Sequence, residues 1–104
     1  VMTNEPTFSG CVIEARPLGI FHLIDRGKVD DKILAVPNTD PLFADYHSLE
    51  QVPPHFLKEV THFFSVYKDL EQVVVQPQGW EGLDRAYEEI EEAIQIYVKT
   101  LRSI

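Results

Sequence analysis

Three aspartates and one lysine lie within eight residues in the first half of the chain: Asp25, Asp30, Asp31 and Lys32. Carboxylate oxygens are the ligands that hard divalent cations prefer, and a neighbouring lysine offers a point charge for a phosphate oxygen. Aspartate is also common in turns, so an acidic turn without a ligand is the commoner explanation of such a segment. The residue types alone leave both interpretations open.

A second polar pair, Tyr67 and Lys68, is adjacent in the other half of the chain. A phenol and an ammonium group side by side can donate hydrogen bonds to one oxyanion. A lysine near the end of a helix also interacts favourably with the helix dipole, which explains it without any ligand. The four histidines do not have the spacing of a metal site, and the sequence contains no GxGxxG, P-loop, GxSxG or CxxC motif.

The elements that must position these side chains can be predicted from periodicity. Strands are expected at residues 11–15, 20–24 and 32–36, and the polar loop 25–31 joins the last two as a hairpin. A helix is expected from Pro53 and Pro54 to about Leu70, a strand at residues 73–76, and a second helix from about Leu83 to Leu101. The prediction is an α+β domain whose two C-terminal helices pack their apolar faces on antiparallel strands.

Composition narrows the classes of partner. Seventeen acidic residues against nine basic ones give a net charge of −8 at pH 7, which disfavours binding to nucleic acid or anionic membranes. A small phosphate ligand remains compatible with this charge if divalent cations accompany it. The single cysteine, Cys11, and the absence of a membrane-length apolar run or a signal-peptide layout predict a cytoplasmic protein.

Four segments, in the correct order, resemble the soluble family I inorganic pyrophosphatases. Residues 1–10 (VMTNEPTFSG) resemble the strand and turn after that family's aspartate-rich motif, and residues 11–36 (CVIEARPLGIFHLIDRGKVDDKILAV) resemble its central hairpin. Residues 61–71 (THFFSVYKDLE) resemble its characteristic helix, and Trp80 in QGWEGLDRAYEEIEEAI matches the start of its last helix. The combination of DRGKVDDK with HFFSVYKDLE is the most specific part of the resemblance.

The resemblance implies a role for each of the polar residues in these segments. Asp25 and Asp30 match family aspartates that bind Mg²⁺, and Lys32 matches a lysine that contacts phosphate. Tyr67 and Lys68 match the pair that holds a phosphate group of the substrate. In that family, Mg²⁺ activates water for attack on pyrophosphate and neutralises the leaving phosphate. The family barrel resembles an OB-fold, so a partial OB-like barrel or sheet is expected here.

The sequence also departs from the family pattern. The DGDPxD-type motif expected just before Val1 is not in this sequence, nor are the earlier strands that supply further site residues. By the resemblance, Asp25 and Asp30 would then hold at most a weak or vestigial Mg²⁺ ion. Asp31 lies between a ligand and a lysine and is not assigned as a ligand. No residue is assigned as catalytic.

Residues 1–104 are interpreted as a single truncated pyrophosphatase-like domain. Three functions are compatible with this interpretation. The interpretation that we favour is a homologue with impaired hydrolysis that self-associates and binds pyrophosphate or phosphate. The alternatives are an active pyrophosphatase, or a fragment of one, and a non-catalytic partner of full-length subunits. Strands without their usual neighbours expose edges, so a homo-oligomer, a dimer or larger, is expected.

Overall fold

The structure is a computed structural model that describes residues 1–103. Its four strands form one antiparallel sheet; they are β1 (Ala15–Asp25), β2 (Lys28–Val29), β3 (Lys32–Pro37) and β4 (Val75–Glu81). Two helices follow the hairpin, α1 (Pro54–Val66) and α2 (Leu83–Arg102). Three short 3₁₀ turns lie in the connections, at Pro41–Phe43, Leu49–Gln51 and Asp69–Glu71. The predicted α+β class, an open OB-like antiparallel sheet with two C-terminal helices, is confirmed.

Strand β1 is the centre of the sheet. Ile20 pairs with Ile33 of β3 and also with Glu81 of β4, so β1 has a neighbour along each side. Helix α2 packs against β1, and α1 packs against β4. Leu18, Ile20, Phe21 and Leu23 are at most 1% exposed. Burial by strands and helices together accounts for the apolar sequence of this strand.

The hairpin turn differs from the prediction. Instead of a loop over residues 25–31, Arg26 and Gly27 alone form the turn, with φ angles of 56° and 78°. Two consecutive positive φ angles are typical of tight hairpin turns, and glycine adopts them without strain. Strand β2 follows this turn directly. Asp30 and Asp31 then interrupt the pairing with β1, and β3 resumes it in the same register as β2.

The predicted strand at residues 11–15 is wrong, because regular pairing starts only at Ala15. Residues 16–19 separate the predicted strands at 11–15 and 20–24, yet β1 runs through them with a register shift between Pro17 and Gly19. A proline is tolerated at such an irregularity because its missing N–H leaves no ladder bond unmade. A Cβ on Gly19 would lie 2.9 Å from the Glu81 carbonyl oxygen, so the close approach of β4 requires a glycine.

The strand and helix after the hairpin lie close to the predicted places, with shifted ends. Strand β4 begins at Val75 and continues past Pro77 to Glu81, which is longer than predicted. Helix α1 ends at Val66, with Tyr67 as its C-cap, and the 3₁₀ turn then carries the chain past Leu70. Within residues 1–103, no helix is both long and apolar enough to cross a bilayer.

Candidate functional site

The end of β1 and the end of α1 meet at an ion pair between Asp25 and Lys68. Asp25 Oδ2 accepts a hydrogen bond from Lys68 Nζ, and the two side chains are only 13% and 22% exposed. The hydrogen bond to Asp25 raises the pKa of Lys68, and the Tyr67 side chain acts in the same direction. Lys68 therefore carries its positive charge at neutral pH, where a phosphate oxygen can bind it.

Asp30 and Lys32 form a second ion pair at the start of β3. Lys32 Nζ donates to both carboxylate oxygens of Asp30, at 2.9 and 3.0 Å. The same ammonium group lies 5.9 Å from the centre of the Phe64 ring on α1, a distance at which a cation is attracted to a ring face. This pair is about one-third exposed, so an incoming anion can reach the lysine.

Aromatic packing sets the position of α1 relative to the sheet. The Phe21 ring centre on β1 lies 5.9 Å from that of Phe64 and 4.9 Å from that of Trp80 on β4. Trp80 Nε1 donates to Thr61 Oγ1 at 3.0 Å, which ties β4 to α1. The Tyr67 ring stacks on a neighbouring aromatic ring of α1 and is 40% exposed. The phenol therefore stands at the surface beside Lys68.

One oxygen of this site lacks a hydrogen-bond partner. Asp25 Oδ1 is buried and accepts no hydrogen bond, although Arg26 Nε lies 3.9 Å from it. A buried acceptor without a donor is the kind of group that a bound cation or an ordered water satisfies. A hard divalent ion fits this carboxylate, since it prefers oxygen ligands.

The ligand count around Asp25 is small. Across residues 1–103, no group of three or more His, Cys, Asp and Glu side chains is arranged to hold a metal ion. Asp25 and Asp30 are each paired with a lysine, and no ion pair among the described residues joins one pair to the other. An ion held here would take most of its ligands from water, from the substrate or from other protein groups.

Sequence reasoning missed the groups that hold the hairpin from the opposite face. Asp31 is 8% exposed; its Oδ1 accepts from the Leu23 N–H at 3.3 Å and its Oδ2 lies 3.1 Å from His22 Nδ1. His22 Nε2 lies 2.5 Å from Glu81 Oε2. Burial lowers the pKa of His22, but the hydrogen bonds to Glu81 and Asp31 outweigh it, so the pKa is raised overall.

The alternation of side chains along a strand could have predicted that Asp31 lies on a different face of the sheet from its two neighbours in the sequence. Successive strand residues point to opposite faces, so Asp31 is expected on the face opposite Asp30 and Lys32. Its partner His22 could not be recognised in the same way, because the pairing across the hairpin depends on a turn that was placed incorrectly.

Fold and site together define an α+β protein with an open OB-like sheet, whose candidate site pairs aspartates with lysines at one end of a hairpin. The sequence profile of the inorganic pyrophosphatase family matches residues 1–98. The chain therefore belongs to the inorganic pyrophosphatase family, and the resemblance found in the sequence is confirmed.

Individual relatives agree with this assignment. The chain is 50% identical over 99 residues to an inorganic pyrophosphatase of Methanosarcina acetivorans, covering 95% of this chain and 59% of the relative. It is 47% identical to an inorganic pyrophosphatase of a Nostoc species, covering 93% of this chain and 57% of the relative. The chain thus spans less than two thirds of the length of these relatives.

Solved structures show the same fold. The inorganic pyrophosphatase of Thermus thermophilus superposes with a TM-score of 0.88 at 28% identity, over 92% of this chain and 57% of that protein. The inorganic pyrophosphatase of Helicobacter pylori gives a TM-score of 0.87 at 30% identity, over 92% and 58% of the two chains.

Proposed function

We propose that this chain supplies the phosphate-binding part of a Mg²⁺-dependent inorganic pyrophosphatase site. Lys32, Tyr67 and Lys68 contact the phosphate groups of pyrophosphate, and Asp25 and Asp30 are the Mg²⁺ ligands that the chain contributes. The observation that carries the proposal is the Asp25–Lys68 pair, which joins a carboxylate and an ammonium group from distant segments beside an unpartnered carboxylate oxygen.

The paired lysines suggest how substrate binds. Each lysine donates a hydrogen bond to a carboxylate, so its ammonium group is already positioned and charged before the ligand binds. A phosphate oxygen then takes the place of one carboxylate oxygen on each ammonium group, and the phenol of Tyr67 donates to a neighbouring phosphate oxygen. The carboxylates of Asp25 and Asp30 are released by this exchange. They would then be available to hold a divalent ion, whose charge would offset that of the bound phosphate.

Bound Mg²⁺ would supply charge neutralisation and a more acidic water for hydrolysis, which adds water across the P–O–P bond to give two phosphates. The side chains of this chain orient the substrate and offset its charge. We assign no residue of this chain to removing a proton from water or to protonating the leaving phosphate.

We propose in addition that the 104-residue chain, by itself, hydrolyses pyrophosphate poorly. Two carboxylates that do not share a ligand cluster favour a weakly held ion. Without ions fixed around the nucleophile, the largest electrostatic contribution to rate is missing. An active enzyme, with the remaining site groups supplied by further protein, is the second candidate and is favoured by the 50% identity to a relative named as an inorganic pyrophosphatase.

Two measurements test the proposal. Isothermal titration of the purified chain with pyrophosphate and Mg²⁺ should give binding that Lys32→Ala and Lys68→Ala each weaken. Phosphate release with Mg²⁺ should remain far below about 1 s⁻¹, the lower end of ordinary enzyme turnover. No binding of pyrophosphate would contradict the substrate role. Turnover at ordinary rates that Asp30→Asn abolishes would contradict the impairment and favour the active enzyme.

Self-association belongs to the same proposal. The C-terminal half of α2 exposes a group of large apolar side chains, each half or more accessible: Ile94, Ile96, Tyr97 and Leu101. Glu91 and Glu92 precede this group, and Lys99 and Arg102 lie at its C-terminal end, so antiparallel pairing of two copies would bring opposite charges together. The strand edges favour association less than expected, because the Met2 N–H donates to the Ala35 carbonyl of β3 at 2.8 Å.

A cytoplasmic location is also proposed. It is supported by a single cysteine, Cys11, which has no cysteine in the chain to pair with.

A further inference from the structure

The carboxylate of Asp31, whose side chain is 8% exposed, performs a task that the phosphate-binding role of its neighbours does not explain. It lies between Asp30 and Lys32 in the chain, yet no ion pair among the described residues joins its carboxylate to Lys32, and its side chain is far less exposed than either of theirs. Its two oxygens are both engaged, one by the Leu23 N–H and the other by the His22 ring. A carboxylate this buried carries a large desolvation cost, which such contacts must offset.

The place where Asp31 acts is the interruption in the hairpin. Ladder pairing stops after Ile24 and Val29 and resumes at Phe21 and Lys32 in the same register. Within the gap, the Asp30 N–H donates to the Leu23 carbonyl at 2.8 Å. The Leu23 N–H has a side-chain acceptor, Asp31 Oδ1, in place of a backbone carbonyl. The carboxylate therefore closes the hydrogen-bonding gap between the two strands.

The contacts of Asp31 continue across the sheet to the last helix. His22 on β1 bridges Asp31 to Glu81 at the end of β4. Glu81 Oε2 lies 3.9 Å from Arg85 Nε on α2, and Arg85 in turn donates to Glu89 at 3.1 Å. Three elements of the fold, β1, β4 and α2, are thus connected to one side chain at the irregular point of the hairpin.

We infer that Asp31 is a positioning residue, which fixes the backbone between β2 and β3 so that Asp30 and Lys32 project toward the pyrophosphate site. The inference rests on the proposed function of Lys32 as a phosphate contact. Asp31 acts from the opposite face of the sheet and touches no ligand. Without this contact, the backbone at the interruption in the ladder would be free to move. Small displacements of a binding group lower affinity steeply.

The test compares Asp31 with a second aspartate that accepts a backbone N–H at an unrelated place. Asp40 Oδ1 accepts from the Leu42 N–H at 2.9 Å at the start of a 3₁₀ turn, so Asp40→Ala and Asp40→Asn are matched controls. Asp31→Asn keeps an acceptor for Leu23, whereas Asp31→Ala removes both contacts. His22→Gln leaves Asp31 in place and removes the ion pairs of the ring with Asp31 and Glu81, which provides a variant should Asp31→Ala fail to fold.

Two readouts are measured on each folded variant: hydrogen exchange of the Leu23 amide by NMR, and the pyrophosphate dissociation constant with Mg²⁺ present. We expect Asp31→Ala to speed exchange of the Leu23 amide about tenfold, the effect of weakening one hydrogen bond by roughly 1.4 kcal/mol. The dissociation constant should rise about 3- to 10-fold. Asp31→Asn should fall between Asp31→Ala and the unaltered chain in both readouts, and the Asp40 variants should change neither.

The outcomes separate this inference from the proposed function. The positioning role would be overturned if Asp31→Ala left either the exchange of the Leu23 amide or the affinity for pyrophosphate unchanged. It would also be overturned if Asp40→Ala lost as much affinity as Asp31→Ala. If the unaltered chain binds no pyrophosphate, the proposed function fails, and the side-chain NMR shifts of Asp30 and Lys32 then decide. Side-chain chemical shifts of Asp30 and Lys32 that differ from the unaltered chain in Asp31→Ala, but not in Asp40→Ala, would support the positioning role. Chemical shifts that are the same in Asp31→Ala as in the unaltered chain would refute it.

Discussion

Lys68 and Asp25 are separated by 43 positions in the chain, yet their side chains form one ion pair. Asp25 is the last residue of β1, and Lys68 follows the C-cap of α1. The candidate site therefore depends on how the helix docks on the sheet, since neither segment contains both charges. The ring contact of Phe21 with Phe64 and the hydrogen bond of Trp80 to Thr61 maintain this docking.

Replacing Lys68 should weaken pyrophosphate binding more than replacing an ordinary surface lysine. Lys68→Ala removes one charged hydrogen-bond donor, worth about 1.5–3 kcal/mol, so the dissociation constant should rise at least tenfold. Lys58→Ala on the exposed face of α1 is the control, because it changes the net charge equally. Isothermal titration at low ionic strength measures both. Equal effects of the two substitutions would mean that only overall charge matters.

Divalent-ion binding should be weak and should depend on Asp25 and Asp30. Asp25→Asn removes the carboxylate charge beside the unpartnered Oδ1, and Asp30→Asn removes the charge paired with Lys32. Each should lower Mn²⁺ affinity in a calorimetric titration, because hard cations require anionic oxygen ligands. Asp40→Asn serves as the control for the loss of one acidic charge. Binding that survives in both site variants would place the ion elsewhere, and the glutamates of α2 would be the next candidates.

Much of this site could be predicted because its parts are local in sequence. The hairpin carries Asp25, Asp30 and Lys32 within one supersecondary unit, and α1 ends just before Lys68. The pairing of Asp25 with Lys68 could not be read from spacing, because it arises from packing between a strand and a helix.

The incorrect predictions have a common physical cause. Proline and glycine usually disfavour strands, but β3 pairs with β1 at both Pro17 and Gly19, and β4 joins on the other side from Ile20 onward. Tertiary contacts therefore override the local preference. The low exposure of Asp31 escaped prediction for a related reason: its partners, the Leu23 N–H and the His22 ring, both come from β1, and their register with Asp31 depends on the two-residue turn.

The stability of the chain should fall as the pH rises through the titration of His22. Hydrogen bonds to Glu81 and Asp31 raise the folded-state pKa above the usual value of about 6.5. The charged ring then stabilises the fold fully below that value, and this contribution is lost as the pH rises through the raised pKa. Urea unfolding at several pH values between about 5.5 and 9 should show the decrease.

The His22→Gln variant should show a weaker dependence of unfolding free energy on pH over the same range. His55→Gln, which alters an exposed histidine at the start of α1, is the control and should keep the dependence of the unaltered chain. A His22→Gln curve that parallels the unaltered one would show that the pH dependence comes from other groups.

The chain should form dimers through the exposed apolar side chains at the C-terminal half of α2. Among the residues of α2, only Ala86, near its start, is buried, so the later turns extend beyond the sheet. Burying apolar surface contributes about 25 cal/mol per Å², and stable interfaces bury roughly 1,200 Å² or more in total. Two antiparallel copies of α2 would pair Glu91 and Glu92 with Lys99 and Arg102 while covering this surface.

The double variant Ile94→Ser and Tyr97→Ser removes the centre of that surface and should yield monomers at micromolar concentration by light scattering and sedimentation. Val12→Ser is the matched control, because Val12 is 95% exposed in an irregular segment far along the chain from α2. The control should remain dimeric. A monomeric unaltered chain, or a double variant that still dimerises, would contradict the predicted interface. Because opposite charges flank the apolar centre, raising the salt concentration should weaken the dimer only moderately, whereas the serine substitutions should abolish it.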